Sequence, residues 1–133
     1  MLHLEWVTKY RYKMFQKQKY LNIAEACIRK SAFEHKIKII KLSVMPEHVH
    51  CVVQVSLSIS ASRVLQLLKG RSSYLFFRYH EKARLRYPRG HLWSRGKFAS
   101  SVGFTNLEVV NRYVENQEEH HIFIQNLRRF IHL

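Results

Sequence analysis

The ten residues MPEHVHCVVQ, positions 45 to 54, set two imidazoles one valine apart inside a run rich in β-branched residues. Successive side chains of a strand point to opposite faces. A strand here therefore puts His48 and His50 on one face and Val49, Cys51 and Val53 on the other. Two histidines sharing a face can bind a metal, stand as solvated polar residues, or be satisfied core histidines. Further along, Tyr113 and Gln117 in NRYVENQEEHH are four residues apart, a spacing that stacks side chains on one side of a helix. Leu107, Val110 and Val114 supply the apolar stripe of that helix, and Tyr113 and Gln117 flank it. On the residues alone, an edge tyrosine beside a glutamine is a commonplace of packing.

These residues need elements to position them. HLEWVTKYR, residues 3 to 11, alternates as a first strand. Asn22 can cap a helix over IAEACIRKSAFEH, with Ile23, Ala26, Cys27, Ile28 and Phe33 facing inward. KIKIIKLSVM is the next strand, and Pro46 with Glu47 turns it tightly into HVHCVVQVSL, which predicts a hairpin. A second helix follows SISAS, its stripe running through Val64, Leu67, Leu68, Tyr74, Leu75 and Phe76, with Gly70 a potential weak point. RYPRG closes that segment, and HLWSRGKFASSVGF is a less regular strand. Thr105 then opens a last helix through a capping box with Glu108. The order β-α-β-β-α-β predicts an α+β, ferredoxin-like split βαβ. Its four-stranded antiparallel sheet carries helices on one face and leaves the other face available for function. The C-terminal helix carries the tyrosine, and residues 1–133 form one domain.

Composition narrows the chemistry. Hydrophobic residues make up 47% of the chain, a globular composition. No apolar run reaches the roughly 18 residues of a membrane span, the first residues read as neither signal nor transit peptide, and a cytoplasmic location is expected. Cys27 and Cys51 match no metal or redox spacing and read as buried thiols. Lys and Arg total 23 against 9 acidic residues, a net charge of +14, which favours nucleic acid as partner well ahead of an anionic membrane surface. All nine acidic residues are scattered glutamates, and there is no aspartate. A two-metal enzyme built on clustered carboxylates is therefore not expected, and histidines and amides must supply much of any metal coordination.

Several other residues invite a role. Arg63, Lys69, Arg71, Arg95 and Lys97 can contact phosphates or be solvated charges. Tyr10 and Tyr12 can stack on unpaired bases, whereas Trp6 and Trp93 suit a core. Glu47 can tune His48 and His50 from behind or simply solvate the turn.

MPEHVHCVVQV, then LWSRGKFASSVG, then YVENQ, in this order in a basic chain of this length, resembles the small single-tyrosine HUH transposases of bacterial and archaeal insertion sequences. The resemblance covers essentially the whole chain. It implies that His48, His50 and Gln117 are metal ligands and that Tyr113 attacks a phosphodiester of single-stranded DNA; Tyr74 and Tyr79 are rival nucleophiles in principle, but neither has an amide side chain four residues on. It also implies a 5′-phosphotyrosine intermediate, imperfect DNA hairpins as targets, and homodimers with composite active sites. Three neutral ligands leave a cation's charge free to act on phosphate oxygens, and imidazole with an amide and water suits Mg²⁺ or Mn²⁺. Cys51 stands where many relatives have an aliphatic residue, and FASSVG is more polar than expected. The alternative is a ferredoxin-like nucleic-acid-binding module, non-catalytic or adopted by a host, which would explain charge and fold without chemistry.

Overall fold

A computed structural model describes residues 1–101, except for the side chains of Lys97, Phe98 and Ser101. Within it the elements are β1 (Leu2–Thr8), α1 (Gln18–Glu34), β2 (Lys38–Val44), β3 (His48–Gln54), α2 (Ala61–Tyr79) and β4 (Trp93–Ser101). The strands form one sheet in the order β2-β3-β1-β4, antiparallel at every neighbouring pair. This is the ferredoxin-like plan read from the sequence. The final helix expected from Thr105 lies outside the described residues.

Alternation sorts each strand into two faces. Leu2, Leu4 and Trp6 of β1 pair with Val53, Cys51 and Val49 of β3. Leu4, Trp6, Val49, Cys51 and Val53 join Leu21, Ala24 and Ile28 of α1 and Val64, Leu65, Leu68 and Phe76 of α2 in one core. Both helices therefore cover this face. Burial there pushes the thiols up, Cys27 to about 11 and Cys51 to about 12, as expected of inert core cysteines. The other set of partners, His3 with Val52, Glu5 with His50 and Val7 with His48, belongs to the opposite face.

The helices depart from the sequence reading in instructive ways. α1 begins at Gln18, not at Asn22, and no side chain caps it. Asn22 instead accepts a hydrogen bond from Gln18 Nε2 at 2.8 Å along the helix surface. The buried residues are Leu21, Ala24, Glu25, Cys27, Ile28, Ser31 and Ala32, a spacing that leaves Ala26 and Phe33 outside. Phe33 follows Ile28 by five residues, most of half a turn off the stripe, and is 85% exposed. α2 begins at a Ser60 cap whose side chain accepts from the Arg63 amide, and it runs unbroken through Gly70. Ser72, Leu75, Phe76 and Phe77 are buried there, whereas Tyr74 faces solvent.

The strands are shorter than the alternation suggested. β1 stops at Thr8, because Lys9–Arg11 turns into a short 3-10 segment. Tyr10 and Arg11 there adopt φ of 62° and 52°, a left-handed conformation that costs a residue with a Cβ. Thr8 anchors the turn: its amide donates to Glu47 O at 2.8 Å and its hydroxyl to Tyr12 O at 2.7 Å. The β2–β3 hairpin closes through Met45, Pro46 and Glu47 as expected, with the Met45 amide donating to His48 O at 2.8 Å.

Candidate metal and DNA-cleavage site

β3 is one of the two central strands, and its apolar alternate residues are committed to the helices. That commitment fixes His48 and His50 on the outer face. Their rings meet edge to face with centroids 4.9 Å apart, and the two residues are 6% and 2% exposed. Glu47 Oε1 lies 2.9 Å from His48 Nδ1. An ionised carboxylate can only accept, so Nδ1 carries the hydrogen and Nε2 of the neutral ring keeps its lone pair. This is the usual arrangement behind a metal-ligating imidazole. Of the two roles open to Glu47, the one behind the histidine is the geometry observed.

β1 adds residues that the sequence reading passed over. Glu5 is the register partner of His50, with Oε1 3.6 Å from His50 Nε2. The His3 ring, fully buried, stacks on His50 at 5.7 Å and 18°. His3, Glu5 and His50 offer ligand atoms that all lie within 4.8 Å of one another. On the other flank Ser43 of β2 is paired with His50 and is also buried. Alternation of HLEWV already placed positions 3 and 5 on one face. Missing was the pairing of β1 with β3, strands far apart in the chain.

The remaining expected residues are spread over the molecule. Tyr113 and Gln117 lie outside the described residues. Arg63, Lys69 and Arg71 sit on α2, across the sheet from the histidines. Arg63 donates to Gln66, Lys69 to Ser94 O at 2.7 Å, and Arg71 pairs with Glu34 at 2.9 Å and covers the Tyr74 ring. Tyr74 and Tyr79, the rival nucleophiles, are exposed on the same helix, behind the sheet as seen from His48 and His50. Lys97 falls in β4 opposite Trp6, and its side chain is not among those described.

Arg95 is placed differently. It borders a cleft of about 470 Å³ shared with Lys9, Tyr10, Arg89, His91 and Trp93, and no acidic residue lines it among the described residues. Tyr10 is 64% exposed, its ring lies 5.3 Å from that of Tyr12, and the Lys9 ammonium sits over it. Trp6 and Trp93 are core residues, packed edge to face, as expected. The Trp93 indole donates to Ser72 Oγ at 3.0 Å.

The donor set is thus two imidazoles, one of them braced by a carboxylate, with a second carboxylate alongside, which is suitable chemistry for a divalent cation. Residues 1–117 match the family described as "Transposase IS200 like". The chain belongs to this transposase family. Among its relatives, the transposase for insertion sequence element IS200 of Salmonella typhimurium is 24% identical over 117 residues, covering 88% of this chain and 76% of that protein. The ISDra2 transposase TnpA of Deinococcus radiodurans is 23% identical, over 88% of this chain and 83% of its own length. The fold is shared with the crystal structure of a candidate transposase from Deinococcus radiodurans R1. That match has a TM-score of 0.68 at 24% identity and covers 87% of this chain and 88% of that one. It is shared too with a REP-associated tyrosine transposase bound to a REP hairpin, with a TM-score of 0.61 at 14% identity over 93% and 69% of the two chains. An IS200-like transposase accounts for the strongly basic charge, since DNA is the polyanion on which transposition acts. No helix of the described residues is long and apolar enough to cross a membrane.

Proposed function

We propose that this transposase cleaves and rejoins single-stranded DNA at insertion-sequence ends through a covalent 5′-phosphotyrosine on Tyr113. His48, His50 and Gln117 hold the divalent cation, Mg²⁺ or Mn²⁺. The observation that carries this reading is the His48–His50 pair. It is buried on the outer face of the central strands, and Glu47 fixes the ring that a cation would use. A pure binding module has no need of such a pair.

When bound, the cation supplies positive charge to the non-bridging oxygens of the scissile phosphate. The chain's own groups do the rest. Glu47 keeps the His48 ring in one tautomer, and β3 keeps both imidazoles at fixed separation. The Tyr113 oxygen loses its proton and forms a bond to phosphorus. The bond from phosphorus to O3′ breaks, and the leaving oxygen takes up a proton as a free 3′-hydroxyl. A phosphotyrosine ester conserves the bond energy, so the reverse attack by another 3′-hydroxyl rejoins DNA without ATP. A phenol with an ordinary pKa near 10 is a weak nucleophile at neutral pH, which is why a polarised phosphate is needed. DNA hairpins are the expected recognition elements, and a homodimer with composite sites the expected assembly.

The deciding experiment incubates labelled single-stranded DNA from the element's own ends with full-length protein and Mg²⁺ or Mn²⁺, followed by a denaturing gel. A metal-dependent protein–DNA adduct that disappears in Tyr113→Phe supports the proposal. An adduct that survives Tyr113→Phe assigns the chemistry to another tyrosine. Tight hairpin binding with no adduct from the wild type returns the protein to the binding-module reading.

A further inference from the structure

We infer that Glu5 is itself a ligand of the site's divalent cation, so that a carboxylate on β1 and the His50 imidazole on β3 share one ion on two paired strands of a single chain. The inference rests on the metal reading given above and says which of this chain's residues build the centre.

Three observations lead to it. Glu5 faces His50 directly in the β1–β3 register, so the backbone pairing itself sets carboxylate and imidazole on one face. Oε1 stands 3.6 Å from His50 Nε2, too long for a hydrogen bond, which runs to about 3.2 Å. Two cis donors on one octahedral ion, at about 2.0–2.2 Å from it, lie roughly 2.8–3.1 Å apart, so a closure of about half an ångström brings the pair onto a common cation. The two glutamates beside the histidines thus differ in kind: Glu47 grips Nδ1 of His48 at hydrogen-bond distance, whereas Glu5 stands off Nε2 of His50 beyond it.

Charge argues the same way. A carboxylate in a face meant for DNA phosphates repels its substrate unless a cation lies between them. Hard cations such as Mg²⁺ and Mn²⁺ favour oxygen donors, and two imidazoles alone make a poor home for either. The Glu5 side chain is 29% exposed beside a His50 ring that is 1% exposed, so the anionic donor is the member of the pair that solvent and an incoming ion reach first. His3 backs the arrangement by stacking on His50, with its own donor atom within 4.8 Å of the other two. Gln117, the third ligand of the reading above, would then join donors that β1 and β3 already hold together.

The test is Mn²⁺ binding to the full chain without DNA, read from the electron paramagnetic resonance signal of free Mn²⁺. Thermal unfolding is followed alongside to show that each variant folds. Glu5→Gln keeps the shape and removes the charge, and should weaken Mn²⁺ binding about tenfold or more. Gln117→Ala should weaken it less than Glu5→Gln does. His50→Ala should abolish it. Wild-type affinity in Glu5→Gln beside abolished binding in His50→Ala overturns the Glu5 assignment and leaves the histidine centre standing. A larger drop in Gln117→Ala than in Glu5→Gln also overturns it. Undiminished binding in His50→Ala removes the metal reading, and the Glu5 assignment with it. If Glu5→Gln does not fold, Glu5→Asp is measured instead. That variant keeps the charge but shortens the reach by one methylene, and affinity equal to wild type then counts against a ligand role.

Discussion

Glu47 and His48, adjacent in sequence, are joined side chain to side chain by a hydrogen bond of 2.9 Å from Nδ1 to Oε1. Neighbours on a strand point to opposite faces, so this contact exists only because Glu47 belongs to the turn and His48 opens β3. The turn is itself held by the Thr8 amide on Glu47 O and the Phe15 amide on Pro46 O.

Removal of that brace should weaken the proposed metal site without unfolding the sheet. Glu47→Ala is expected to lower Mn²⁺ affinity about 10- to 100-fold, and Glu47→Gln, which can still accept from Nδ1, by less. Calorimetric titration of the two variants checks the order. Equal affinity in wild type and Glu47→Ala would show that the ring needs no such partner.

Stability should respond sharply behind the sheet. Ser72 accepts the Trp93 indole hydrogen bond in a buried setting. Ser72→Ala strands that N–H and should cost about 1–3 kcal/mol. Leu68→Ala, which empties a fully buried position facing the same core, should cost about 2–5 kcal/mol. Urea denaturation measures both, and a smaller effect for Leu68→Ala than for Ser72→Ala would contradict this ranking.

DNA affinity should depend steeply on salt and on the Tyr10 cleft. Deleting a cation that touches one phosphate is expected to lower the slope of log K against log salt by about 0.7 on a single strand. Arg95→Ala should show this change, whereas Tyr10→Ala should weaken single-strand binding at every salt concentration with the slope preserved, as the removal of a stacking platform requires. Fluorescence anisotropy over a salt series separates the two signatures.

A pH effect is expected at His80. Its ring stacks on Tyr20 at 4.1 Å, and its pKa is lowered from 6.5 by burial first and then by Lys19 and Lys82. The folded chain therefore binds this proton less readily than the unfolded chain does. The contribution to stability is complete above the unfolded pKa near 6.5 and declines as pH falls below it toward the folded pKa. The ring is only half-buried, so the effect is small. Unfolding curves of wild type and His80→Gln should converge as pH drops from 7 to 5, and parallel curves would exclude the coupling.

The sequence was most legible where one residue's alternation decided everything. MPEHVHCVVQ announced a turn, a strand and two histidines on one face, and all three stand in the structure. The two-helix, four-strand order followed from periodicity alone. Illegible parts share a physical cause, namely that they depend on contacts distant in the chain. Glu5 and His3 gain meaning only from the β1–β3 register, and Phe33 looked inward because an apolar side chain was read without the packing that excludes it. The early end of β1 reflects Thr8 bonding to Glu47 and Tyr12, which no local pattern in VTKYR reveals. The family resemblance supplied what neither pattern nor packing could, the roles expected of Tyr113 and Gln117, which lie outside the described residues.

β1 and β3 are hydrogen-bonded on both sides, with β2 and β4 outside them. Their amides can exchange with solvent only when the whole domain opens, so His48, His50 and Glu5 should be among the slowest-exchanging positions in deuterium labelling. A site mounted on such a floor has no local hinge. Transposition nonetheless requires cut ends to leave one partner and meet another. In the proposed reaction, the rearrangement that carries them therefore takes place around a stationary anvil, and it is the DNA that travels.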